Sequence, residues 1–386
     1  MIKATFYVEP LNKKVIDAII KESSTGTWTD VKAPARIKKL TAEVLEKDKN
    51  TVVIGYPDAL FEPNNIPQML ACFAGNIFGM KMIKNLRLVS LEVSTKLAKT
   101  FPGPMMGIPG IRQYLGTKKR PHIGTIVKPK VGLNPKETAK RAYEAWVGGV
   151  DFVKDDENLG SQAFCPFEDR VVEVLEALER AEEETGEKKL YSPNVTAPFY
   201  EMLERADFVK EHGGNMIMID FITAGFSAFQ SLRFENILPI HVHRTMHAAF
   251  TRNPKHGIAM NVLATLVRLA GGDQLHVGAV FGKMEGDKEE VRRSAKNLTR
   301  RFAGLKPVFP VASGGLHPAL VPEVIDFFGT DVVIQAGGGI HGHPDGTRAG
   351  AAAMRQAVEA TLKGIPLKEY AKDHKELAKA LKKWKA

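Results

Sequence analysis

The run Gly148-Gly149-Val150-Asp151-Phe152-Val153-Lys154-Asp155-Asp156-Glu157-Asn158 carries an apolar, β-branched stretch into one lysine and three carboxylates. In an extended strand alternate side chains share a face, so Lys154 and Asp156 point the same way. Glu157, where the strand turns into a loop, can swing back toward them. Two carboxylates and a third oxygen-bearing group make a hard-cation site that suits Mg²⁺. A lone cluster of this kind is more often a charged loop after a strand. The rest of the chain decides against that, because it repeats the layout.

Other apolar stretches also end in polar side chains. They supply Lys128 and Lys130, then Asn194, Asp220, the group His241, His243, Arg244 and His247, and His276. The last two stretches close on Ser313-Gly314-Gly315 and Gly337-Gly338-Gly339. A single strand-end histidine is ordinarily a hydrogen-bonded core residue. Several cationic and imidazole ends around one carboxylate cluster are harder to explain by packing. Glycine lets backbone amides approach an anion closely, so the two glycine runs together point to a phosphate pocket. Arg244 and His276 are suited to a second one. The set suggests a doubly phosphorylated, sugar-like substrate on a divalent cation. A lysine there would polarise or protonate an oxyanion, and a base would remove a proton beside a carbonyl.

Regular elements must position these groups. Eight strand candidates are Ile123–Lys128, Val150–Lys154, Leu190–Val195, Met216–Asp220, Leu238–His243, Leu275–Phe281, Val308–Ser313 and Val332–Ala336. Between them lie segments of helical periodicity such as Pro135–Val147, Glu168–Glu184 and Gly257–Leu269. This alternation predicts a (β/α)₈ TIM barrel, in which the βα-loops converge on one mouth; an open doubly wound sheet is the alternative. Residues 1–113 read as an α+β domain with strands Ala4–Val8, Thr51–Pro57 and Leu86–Val93 and two helices. That pattern suggests a ferredoxin-like sheet. The Pro/Gly-rich stretch from Phe101 to Gly110 is the boundary candidate, leaving 114–386 as the barrel with a helical tail.

Composition narrows the class. The chain has 386 residues, 44% of them hydrophobic and 25% charged, as in ordinary globular proteins. It has no apolar run long enough to span a membrane and no signal-peptide pattern at Met1-Ile2-Lys3. Cys72 and Cys165 stand far apart, which argues against a disulfide framework and for the cytoplasm. The net charge of +10 has three candidate causes: nucleic acid, an anionic small substrate, or a Lys/Glu-rich surface of the heat-adapted kind. Lysines interleaved with glutamates favour the last two. The basic end, Lys382-Lys383-Trp384-Lys385, reads as a solvated helix end.

The chain resembles the large subunit of ribulose-1,5-bisphosphate carboxylase/oxygenase (RuBisCO). The matching segments are Lys128-Pro129-Lys130, Gly148-Gly149 through Asn158, His241 through His247, Gly271-Gly272-Asp273, His276-Val277-Gly278, Gly282-Lys283-Met284-Glu285-Gly286, Ser313-Gly314-Gly315 and Gln335 through Gly339. Nearer the N-terminus, Glu22 through Trp28 and Gly75 through Gly79 match as well. The resemblance implies that Lys154 is carbamylated by an activating CO₂ and binds Mg²⁺ with Asp156 and Glu157. The carbamate would then act as the base for enolisation. Lys128 and His243 would transfer protons, Lys283 would orient the second CO₂ from a mobile loop, and Lys130 would support the metal cluster. Arg244, His276 and Ser313 would hold one phosphate; Thr27, Trp28, Gly315, Gly337 and Gly338 would hold the other. Glu22 and Asn76 would come from a neighbouring subunit, so a homodimer, or an assembly of dimers, would be the active form. The substrates implied are ribulose 1,5-bisphosphate, CO₂ and O₂.

The pattern departs from plant-type enzymes at Ile126, where a hydroxyl residue stands, and at Val277 and Ala279, which replace Ser and Thr. The short, Lys/Glu-rich form resembles the archaeal type, which implies no small subunit and a role in recycling ribose from nucleotides. Two rival readings are a RuBisCO-like enolase or isomerase of a sulfur-salvage sugar phosphate, and a basic, non-catalytic binding protein. Lys128, His243, Lys283, Glu22, Thr27, Trp28 and Asn76 together favour the carboxylase.

Overall fold

The computed structural model describes residues 1–26, 34–281 and 287–384. Near the N-terminus, β1 (Ile2–Glu9), β2 (Glu43–Asp48), β3 (Thr51–Tyr56) and β4 (Asn85–Glu92) pair antiparallel in the order β4-β1-β3-β2. Helices Lys13–Ser23 and Ile66–Ala74 complete the βαββαβ order of a ferredoxin-like unit. Asn65 caps the second helix by accepting from the Gln68 amide at 2.9 Å, and Pro67 fills its first turn. The expected strands omitted β2. Its sequence, EVLEKD, is largely exposed and shows no apolar alternation to reveal it.

The second unit has eight parallel strands among the described residues: β5 (His122–Ile126), β6 (Phe152–Lys154), β7 (Leu190–Ser192), β8 (Ile217–Asp220), β9 (Ile240–His243) and, beyond a short β10 (Gly257–Ile258), β11 (Gln274–His276), β12 (Phe309–Ser313) and β13 (Val333–Gln335). The order β7-β6-β5-β13-β12-β11-β9-β8 closes through a parallel bridge between Asn194 and Met218. That bridge excludes the open sheet. Four of these eight strands, β5, β7, β11 and β13, stop short of the expected C-terminal ends, and the other four end where expected. After β11, Gly278 turns the chain at φ +94°, and a Cβ there would lie 2.5 Å from Arg244 Nη2. The early exit leaves room for the guanidinium.

One strand pairing ties the N-terminal sheet to the second unit, and a helix at the expected boundary closes the barrel floor. The segment expected to open a helix at Gly257 instead forms β10, which extends the N-terminal sheet by pairing with β4. Helix Gly107–Tyr114 lies across the expected divide at residues 113 and 114. Its Ile108 and Ile111 pack with Phe152, Leu190, Met216, Phe309, Val311 and Val333, closing the N-terminal end of the barrel with apolar side chains. The Asp273 carboxylate anchors this helix by accepting from the amides of Met106, Gly107 and Ile240 at 2.6, 2.7 and 2.9 Å. No described helix is long and apolar enough to cross a membrane.

Candidate active site

The C-terminal strand ends gather the polar groups. Lys154 ends β6 with no exposure, and its Nζ donates to the Asp155 carbonyl at 2.7 Å and lies 3.3 Å from Met218 Sδ. Burial pushes this ammonium below its ordinary value, while Glu157, Asp220, Asp156 and Asp155 pull the other way. The net effect is a lowered pKa, which eases the proton loss that a nucleophilic amine requires.

Strand alternation separates the three carboxylates that follow. Asp155 turns away from the mouth and accepts from Arg170 Nε at 3.0 Å, Tyr191 OH at 2.8 Å and the Asn194 amide at 3.0 Å. Asp156 faces Lys128, whose Nζ donates to Oδ2 at 2.8 Å, and Asn158 donates to Oδ1. Burial works to raise the Asp156 carboxyl, but Lys128 and Asn158 more than offset it and hold it below the ordinary value. Glu157 lies on the His243 side, with Oε2 3.7 Å from His243 Nε2.

His243 is fixed from behind. Its Nδ1 lies 3.0 Å from Asp220 Oδ1, so Nδ1–H donates to the carboxylate and Nε2 keeps its lone pair toward the mouth. Burial and the Lys154 charge lower its pKa, against the pull of Asp220. A second histidine pair lies deeper. His276 Nδ1 meets Ser313 Oγ at 2.7 Å, His276 Nε2 meets His241 Nε2 at 2.9 Å, and His241 Nδ1 meets Gln274 Oε1 at 2.8 Å. Burial keeps both imidazoles well below their ordinary pKa, so they are neutral. Beside them, burial pushes the Arg244 guanidinium down to about 10, still charged at neutral pH.

Gly314 and Gly315 adopt φ +117° and +75°, leaving the backbone after Ser313 in a conformation that glycine favours. A Cβ on Gly337 would lie 3.2 Å from Lys128 Cε, while one on Gly338 would meet nothing within 4 Å. Lys130 is exposed and makes no ion pair among the described residues. Glu22 and Asn76 come together in the N-terminal unit, with Asn76 Nδ2 donating to Glu22 Oε1 at 3.0 Å. Thr27, Trp28 and Lys283 lie outside the described residues. Val277 and Ala279 are buried core residues.

Sequence reading did not single out Gln274, Tyr191 or Arg170. Gln274 opens β11 one residue before the expected strand, and the Arg170–Asp155 pair spans 15 residues between a helix and a strand end. A buried arginine on an otherwise apolar helix face was the available signal.

The chain matches the family models described as the ribulose bisphosphate carboxylase large chain N-terminal domain over residues 2–97 and catalytic domain over residues 107–384. It is 49% identical to the ribulose bisphosphate carboxylase of Methanocaldococcus jannaschii, covering 97% of this chain and 94% of that one. The crystal structure of octameric ribulose-1,5-bisphosphate carboxylase/oxygenase from Pyrococcus horikoshii OT3 superposes with a TM-score of 0.95 at 45% identity, covering 99% of this chain and 93% of that one. The dimeric archaeal Rubisco of Hyperthermus butylicus gives 0.92 at 46% identity, covering 99% and 95%.

Proposed function

This chain belongs to the ribulose bisphosphate carboxylase large-chain family, and from that premise we propose that it enolises and carboxylates ribulose 1,5-bisphosphate to two molecules of 3-phosphoglycerate, with O₂ as the competing substrate. The observation that carries the reading is Lys154: a fully buried amine, pushed toward neutrality, among the carboxylates of Asp156, Glu157 and Asp220.

The donor set fits a hard cation once that amine carries oxygen. Among the described residues, no three His, Cys, Asp or Glu side chains form a metal-holding group by themselves. Addition of CO₂ to the neutral Lys154 Nζ forms an N–C bond, releases a proton and supplies the missing oxygen ligand beside Asp156 and Glu157. Those three residues would hold Mg²⁺, which supplies polarisation of the substrate oxygens.

The remaining roles follow from the chemistry of each side chain. Lys128 Nζ, now on Asp156, holds a proton to deliver to an oxyanion. His243 Nε2 accepts or returns a proton while Asp220 secures its Nδ1. Arg244, His276 and Ser313 hold one phosphate end. The glycines Gly315, Gly337 and Gly338, with Thr27 and Trp28, hold the other. Lys283 orients the second CO₂, and Lys130 supports the cluster electrostatically. Glu22 and Asn76 complete the site of a neighbouring copy, so the active unit is a homodimer or an assembly of dimers without a small subunit. Service in nucleotide and ribose salvage is part of the same reading.

The test is incorporation of labelled CO₂ into 3-phosphoglycerate after preincubation with bicarbonate and Mg²⁺. Carbon incorporation supports the proposal. Enolisation without it would favour the RuBisCO-like enolase or isomerase.

A further inference from the structure

The basic C-terminal end keeps the Lys382 and Lys383 side chains exposed, while its helix packs against the segments that follow the two glycine loops. Helix Lys375–Lys383 packs next to the turn Pro318–Leu320, just beyond Ser313-Gly314-Gly315. Trp384 stacks on His317, with ring centroids 5.5 Å apart and planes 6° from parallel. His317 Nδ1 is buried and has no hydrogen-bond partner among the described residues, so the stack, rather than a hydrogen bond at that atom, orients the ring. Toward the other loop, Lys383 Nζ donates to the Gly342 carbonyl. Lys379 Nζ pairs with Asp345 Oδ2 at 2.6 Å, and His343 Nε2 donates to the Glu376 carbonyl at 2.9 Å.

The loops also touch each other. A Cβ on Gly339 would fall 2.1 Å from the Leu316 carbonyl oxygen and 2.8 Å from His317 Cα. Displacement of either loop therefore displaces the other.

We infer that the C-terminal helix clamps the Ser313-Gly314-Gly315 and Gly337-Gly338-Gly339 loops into one unit, and that Trp384, through His317, is a positioning residue for the anion these loops hold. The inference rests on the proposed function, in which the glycine loops hold a phosphate of the substrate. Trp384 itself touches no reacting atom. Its loss should loosen anion binding and leave proton transfer at Lys128 and His243 intact.

The experiment compares Trp384→Ala, Trp384→Phe, His317→Ala and the double variant Trp384→Ala/His317→Ala. It reads kcat and KM for ribulose 1,5-bisphosphate and the competitive inhibition constant of inorganic phosphate. In Trp384→Ala, KM and the phosphate constant should rise about fivefold with kcat within about twofold. Trp384→Phe should restore both, and the double variant should be no worse than either single one. Unchanged constants in Trp384→Ala, additive losses in the double variant, or no rescue by Phe would overturn the inference alone. A wild type that neither turns over ribulose 1,5-bisphosphate nor binds phosphate would remove the proposed function and this inference together.

Discussion

Lys128 Nζ sits 2.8 Å from Asp156 Oδ2, so a lysine proposed to move protons also neutralises a carboxylate proposed to hold the cation. The pairing is local: Asp156 is almost fully buried, whereas Lys128 keeps a third of its side chain exposed. A divalent ion held by Asp156 would compete with this ion pair and would free the Lys128 ammonium for proton transfer. Lys128→Met should therefore lower kcat by about 10²-fold or more, the range for losing an acid–base group. Mn²⁺ affinity in bicarbonate should be retained or tightened. Weaker Mn²⁺ binding by Lys128→Met would contradict this account.

Lys154→Met tests the buried amine. Methionine nearly matches lysine in length and removes a charge that burial disfavours, so thermal stability should hold or rise. Activity should vanish, and the carbamate signal that ¹³CO₂ gives by ¹³C NMR in the wild type should be missing. Normal turnover would refute the assignment.

Asp220→Asn tests the tautomer of His243. An amide can donate to Nδ1, which moves the ring proton to Nε2 and removes the lone pair facing Glu157. The expected result is a fall in kcat of about 10²-fold with little change in KM. A fall confined to KM would mean that the pair shapes the pocket rather than carrying protons.

Acid sensitivity should come partly from His122. Burial, reinforced by Arg112 and Arg120 against the pull of Asp151, pushes this imidazole from 6.5 to about 3. The unfolded chain takes up a proton near 6.5 while the folded one does not, so stability is full above that pH and falls on acidification toward 3. One proton corresponds to about 1.4 kcal/mol per pH unit. Urea unfolding between pH 6 and 4 should be less steeply pH-dependent in His122→Gln by about one proton. An identical slope would exclude the histidine as a source.

The Arg170–Asp155 pair is fully buried, and Tyr191 and the Asn194 amide complete the carboxylate's partners. Arg170→Met strands that charge and should cost about 3–5 kcal/mol in urea unfolding. Adding Asp155→Leu should cost less than the sum of the single losses. Strict additivity would show that the two groups act independently.

The primary structure determined much of this protein because its signals are local. Apolar runs ending in polar side chains located the eight barrel strands. Alternation along Val153-Lys154-Asp155-Asp156 separated an inward lysine from a carboxylate facing elsewhere, and glycine runs marked two backbones free to approach an anion. Tertiary structure decided what depends on residues far apart in the chain. It closed the barrel through Asn194 and Met218, set Gln274 behind His241, tied Asp155 to Arg170, and stacked Trp384 on His317 at the end of a helix whose last lysines stay exposed. A lysine-rich helix end has the same composition whether it faces water or a loop, because only the packed chain supplies the stacking partner and the carbonyl that hold it.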